Sequence, residues 1–194
     1  MKYLMKTSML AVFLFALTVN AQDDGNYVNE PGYVDFGKLT SFYKGDDITE
    51  VFMDAPLLRM VSKLSGENDP ELKNLLTGLK LIKVYSFIVP ENERKNLVKR
   101  IKEIDKKLLS KKWYRIIKVK EKNKYTNVYL KSSNDENNIV GLAVVSIDDN
   151  GKASFVNIVG NINMDNLGKL SDKFNIPKMF SKKHKKKVTE EKKK

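Results

Sequence analysis

The sequence predicts an α+β domain: a largely antiparallel sheet with helices packed on it and a four-strand meander towards its C-terminal end. Four observations carry that expectation. Between Trp113 and Gly160, the β-branched and aromatic runs WYRIIKVK, YTNVYLK, IVGLAVVSI and KASFVNIVG follow one another across short connections. Asn150-Gly151 between the last two is a strong hairpin signal. Before the meander, ENERKNLVKRIKEIDKKLLSKK repeats apolar residues at Leu97, Ile101, Ile104 and Leu108, with Val98 and Leu109 widening the stripe. Earlier still, LIKVYSFIV, Leu81 to Val89, is apolar on both alternating faces, as a strand inside a sheet should be.

Taken in order, MKYLMKTSMLAVFLFALTVNAQ has Lys2 and Lys6, an apolar run from Met9 to Val19, and small residues at the first and third positions of Val19-Asn20-Ala21. This is the layout of a cleavable secretory signal. The run is shorter than the about 20 apolar residues that a membrane-spanning helix needs, and no second one follows. The expected location is therefore the periplasm or cell envelope, after cleavage near Ala21, with no transmembrane helix in the mature chain. The expected organisation is a signal over 1–21, a flexible leader over 22–32, one domain over 33–177, and a disordered lysine-rich tail over 178–194.

Within the domain the first ordered piece begins at YVDF, Tyr33 to Phe36, and ITEVFMD, Ile48 to Asp54, reads as a strand. Pro56 fits the first turn of a helix through Leu64, and NDPELKNLLTGLK supplies a cap at Asn68 or Asp69 and a short helix from Pro70 to Thr77. Pro90 ends the Leu81–Val89 strand. In the long helix after it, Glu91 and Glu93 occupy the first turn and Lys111 and Lys112 the end, which complements the helix dipole. MDNLGKLSDKF is expected to close the domain as a helix, barred from continuing by Pro177.

Charge is unevenly placed along the chain. Of a net +12, the segment Glu91–Lys131 holds fifteen basic and five acidic residues, and the tail from Lys178 holds nine and two. Cysteine is absent, which excludes disulfides, thiolate chemistry and cysteine-based metal or lipid attachment. His184, the one histidine, stands among tail lysines with nothing to orient it as a base or ligand. Ser41-Phe42-Tyr43-Lys44 matches a Ser-x-x-Lys pattern, but its companion Ser-Asp-Asn and Lys-Thr-Gly elements are missing. The pairs Asp46-Asp47 and Asp148-Asp149 are adjacent, so strand geometry would point their carboxylates apart. Asp148, Asn150 and Gly151 superficially match a calcium loop, yet the closing Glu is absent and a hairpin explains them more simply.

The order of YVDF, the strand after it, APLLRMV, DPELKNLLTGLKLIKVYSF, the long helix ending before KKWYRIIKVKE, and IVGLAVVSIDDNGKASFVNIVGNINMDNLGKL resembles domain-of-unknown-function family 4252. These are exported proteins of the Bacteroidota. The likeness spans Tyr33 to Leu170 and is concentrated at Gly141-Leu142 and Phe155 to Gly160. It implies an envelope protein with a shared fold and brings no activity or functional residues. Many relatives are lipoproteins, from which this chain departs by having no cysteine near its signal.

These observations point to a non-enzymatic binding or structural protein without cofactor, metal or catalytic residues. The candidate surface for an anionic partner is Lys95, Lys99, Lys102 and Lys106 on the outer side of the long helix, beside Arg115, Lys118, Lys120, Lys122 and Lys124. The tail lysines Lys182, Lys183, Lys185, Lys186 and Lys187 form a second candidate. Export makes an anionic envelope component or a protein the expected partner, with peripheral membrane contact, and argues against nucleic acid. Two other readings stand behind this one: a carrier of a small apolar ligand, and a carboxylate-dependent hydrolase.

Overall fold

The computed structural model describes residues 24–43, 48–65, 70–121, 124–134 and 138–162. β1 (Ile48–Asp54) passes directly into α1 (Ala55–Ser65). Asp54 makes that junction by accepting the Leu57 N–H on its Oδ1 at 3.0 Å, the bond of an N-cap, with Pro56 in the first turn. α2 (Pro70–Thr77) packs against α1, and the Ser62 hydroxyl lies 3.2 Å from the Lys73 carbonyl and 3.1 Å from the Thr77 hydroxyl. There follow β2 (Leu79–Ile88), α3 (Glu91–Ser110), β3 (Tyr114–Lys120), β4 (Tyr125–Ser132), β5 (Ile139–Ile147) and β6 (Lys152–Ile162).

All six strands form one sheet in the order β1-β2-β6-β5-β4-β3, and every neighbouring pair is antiparallel. The α+β class and the meander are as expected, and the Leu81–Val89 run lies inside the sheet between β1 and β6. Both faces of the sheet are covered. Leu58, Leu75 and Leu76 of α1 and α2 join Ile82, Val144 and Val156 on one face. Leu97, Ile101, Ile104 and Leu108 of α3 join Tyr129, Val145 and Phe155 on the other. Strands buried on both faces carry apolar residues in consecutive positions, which is why the runs show no polar alternation.

The N-terminal segment shares the α3 face. Asn157, fully buried on β6, accepts the Val34 N–H on Oδ1 at 2.8 Å and donates from Nδ2 to Gly32 O at 2.9 Å and Leu142 O at 3.2 Å. Gly32 crosses directly over Gly141, and a Cβ on either would overlap the other's backbone. Val34, Phe36 and Leu39 then enter the core, with Phe36 edge-on to Phe155 at 5.4 Å. Part of the stretch expected to be a flexible leader is thus tied down: the Tyr27 hydroxyl accepts the Ala55 N–H at 3.3 Å, its ring meets Phe52, and Gly32 is clamped. Two of these ties come from the Tyr27 side chain and the third from the Gly32 carbonyl, and their partners lie on other elements, so the polar composition of the stretch did not display them. The signal, Asp46-Asp47, the helix expected after Met164 and the whole tail lie outside the described residues.

Replacing Asn157 by Ala should lower stability by about 2–4 kcal/mol, because the buried Val34 N–H and Gly32 C=O lose their partner. A urea midpoint within error of the parent would refute the clamp.

Candidate functional site

α3 separates its side chains cleanly. Leu97, Ile101, Ile104 and Leu108 are buried against the sheet, while Lys95, Lys99, Lys102 and Lys106 are all exposed, as their spacing required. Leu109, expected to widen the apolar stripe, is instead 43% exposed at the helix end. Across from α3, Lys118 pairs in register with Asn127 and Lys120 with Tyr125. Tyr125 and Tyr129 both belong to the α3-side core, so alternation along β4 brings Lys118 and Lys120 to that same face.

Between the N-terminal half of α3 and the β3–β4 hairpin lies a groove of about 500 Å³. Val98, Tyr125 and Ile147 line it with apolar surface, and Tyr125 and Ile147 are themselves buried members of the α3-side core. Arg94, Lys95, Lys99 and Lys102 line it from the helix, and Lys120 and Lys124 from the hairpin. Its two carboxylates are Glu91 and Glu121, and Glu91 is already paired with Arg94 at 2.8 Å. Five lysines therefore surround an apolar floor with one further carboxylate among them.

Arg94 is seated by the β5–β6 turn. Its Nη1 lies 3.3 Å from Asp149 O, its Nε is shielded from solvent with no hydrogen-bond acceptor, and its guanidinium occupies the space a Cβ on Gly151 would fill. Gly151 has φ +82°, a conformation natural to glycine. In the same turn the Asp148 Oδ1 accepts the N–H groups of Asn150 and Lys152, each at 2.9 Å. The residues that superficially matched a calcium loop thus build the hairpin.

Not every cation of the basic segment belongs to this surface. Lys106 is exposed on α3 but lies outside the groove lining, and Lys122 lies outside the described residues. Arg115, expected on the basic surface, is instead engaged by Asp105: its Nη1 donates to Oδ1 at 2.5 Å and to Oδ2 at 2.7 Å. The Tyr129 hydroxyl donates to Asp105 Oδ1 at 2.8 Å and receives Asn127 Nδ2 at 2.6 Å. A carboxylate under α3 thus attracts the guanidinium inward and cancels its charge. Burial, followed by the bond to Asp105, pushes the Tyr129 hydroxyl far above the ordinary tyrosine range.

Ser41 is exposed in the short turn Thr40–Phe42, and Lys44 lies outside the described residues. Among the described residues no group of three or more His, Cys, Asp or Glu could hold a metal ion. No described helix is long and apolar enough to cross a membrane. What the groove offers chemically is positive charge above apolar surface. Sequence reasoning found its lysines but missed Arg94, Val98, Tyr125 and Ile147 as lining, since these come from α3, β4 and β5 and meet only in three dimensions.

Tyr129→Phe should cost about 1–3 kcal/mol at neutral pH, since Asn127 Nδ2 and Asp105 lose a partner. The raised folded-state pKa adds a pH signature. The stability it contributes is fully present below the unfolded tyrosine pKa of about 10 and is lost as pH rises beyond it, because the unfolded chain then releases a proton that the native state keeps. Urea unfolding on either side of that pH should show the phenylalanine variant losing less stability in the alkaline range than the parent. Equal losses would show that the hydroxyl is not held in this way.

With that geometry in place, comparison with known proteins adds one result. The family described as Domain of unknown function (DUF4252) matches residues 42–170. No curated protein and no solved structure matches the chain.

Proposed function

The chain belongs to the DUF4252 family, and we propose that it is an exported, non-enzymatic binding protein of the periplasm or cell envelope that engages an anionic envelope component through the lysine face of α3. The observation that carries this reading is the placement of Lys95, Lys99 and Lys102 along one groove with Lys120 and Lys124 on its other side. Lysines at this spacing repel one another, and an arriving anion relieves that repulsion. The signal-like N-terminus supports a compartment in which nucleic acid is scarce and lipid phosphates are abundant. The tail lysines Lys182, Lys183, Lys185, Lys186 and Lys187 would add longer-range attraction to the same kind of surface.

Sedimentation with phosphatidylglycerol-containing vesicles, against pure phosphatidylcholine, tests the proposal. Replacing Lys95, Lys99 and Lys102 together by Gln should weaken binding by about 3 kcal/mol, on the order of 100-fold, and added salt should weaken the parent similarly. Loss on neutralising only Lys182, Lys183, Lys185, Lys186 and Lys187 would move the action to the tail. Equal binding to both kinds of vesicle would sink the electrostatic reading altogether.

A further inference from the structure

We propose that the groove between α3 and the β3–β4 hairpin takes one molecule of a single-chain anionic amphiphile, its phosphate or carboxylate among the rim lysines and its hydrocarbon chain along Val98, Tyr125 and Ile147. This rests on the reading of the lysine face above and narrows it from a patch facing a membrane to a site for one lipid-derived ligand.

Shape separates the two. A bilayer surface touches what protrudes, and the exposed lysine tips would satisfy it without any recess between them. Here there is a recess of about 500 Å³, within the range of about 300–1,000 Å³ usual for small-molecule sites. Its floor is the rim of the α3-side core, where Val98 is half-buried and Tyr125 and Ile147 are buried. A hydrocarbon chain laid there would complete the cover over Val98 and remove apolar surface from water.

Charge selects the other end of the ligand. Cations stand on both sides of the recess, Lys95, Lys99 and Lys102 on the helix and Lys120 and Lys124 on the hairpin, so a headgroup meets positive charge wherever along the groove it sits. Lysine suits this because its ammonium is a mobile point charge that does not demand one headgroup geometry. An acidic peptide would answer the charge, but its backbone amides would lie on Val98 and Ile147 without partners, at the cost of desolvation. A nucleotide would need an open aromatic face for its base, and Tyr125, the one aromatic side chain in the lining, is 7% exposed and offers none.

Calorimetric titration of the whole protein with dodecyl phosphate below its micelle threshold is the test, run beside decyl and octyl phosphate, inorganic phosphate and dodecyl maltoside. The expected result is one dodecyl phosphate per chain, with affinity rising about two- to fourfold per methylene across the series. Val98→Phe, which fills the floor and leaves every lysine in place, should weaken dodecyl phosphate at least tenfold while salt-sensitive binding to phosphatidylglycerol vesicles persists. Inorganic phosphate binding as tightly as dodecyl phosphate would overturn the amphiphile site, as would dodecyl maltoside binding equally well. Absence of dodecyl phosphate binding with vesicle binding intact would overturn this inference alone. Absence of both would overturn the broader reading with it.

Discussion

The antiparallel pairing of β2 with β6 joins the two halves of the molecule, and the rest of the structure is arranged around it. β2 follows α1 and α2, whereas β6 is reached only after α3 and three further strands, so Ser86 and Ser154, side by side in the sheet, are 68 residues apart in the chain. The entropy of closing so long a segment grows only slowly with its length, and the two covered faces reward the closure. Its register decides which side chains meet which helix. Ile82 opposite Ile158 and Val84 opposite Val156 face α1 and α2, while Phe87 opposite Ala153 faces α3. A slip of one residue would exchange the two sets. At the end of the join Gly78 and Gly160 pass so closely that a Cβ on Gly160 would strike the Gly78 carbonyl, and Asn161 N–H bonds that same oxygen at 2.8 Å.

Polar contacts on the α3 face set where the helix sits over this sheet. Apolar packing holds α3 down but is not directional, so it leaves sliding and rotation weakly specified. Asp105 with Arg115 and Tyr129 fixes α3 against β3 and β4, and Lys131 ties β4 to the helix end by donating to Lys111 O at 2.7 Å. Arg100 reaches the Phe36 carbonyl at 3.1 Å and so secures the N-terminal segment, which Asn157 holds from beneath. Each bond has a defined partner, so together they fix where α3 sits over the sheet.

This division of labour changes the meaning of the basic composition. Arg94, Arg100, Lys107, Arg115 and Lys131 all lie in the segment whose charge stands out, yet each is engaged by a carboxylate or a carbonyl. The cations that remain around the groove are Lys95, Lys99, Lys102, Lys120 and Lys124. Exposed ion pairs contribute little stability, so the partners matter here chiefly because they subtract charge from one part of the surface and leave it on another.

Much of the architecture could be read from the amino-acid order alone. Pro70–Thr77 forms the helix that its proline and spacing indicate, the four periodic residues of α3 are the four that become buried, and Asn150-Gly151 turns the last hairpin. Each of these is a local property, written in the spacing of residues along one segment or in the conformational freedom of a glycine. The likeness to DUF4252 was legible for a related reason, since the elements keep a recognisable order. Tertiary structure alone decided the strand order, the capture of Gly32 and Val34 by Asn157, the inward turn of Arg115 towards Asp105, and the meeting of Val98, Tyr125 and Ile147 beneath the lysines. In each case the partners lie on different elements, and periodicity within a segment shows which face a side chain occupies but not what stands opposite it.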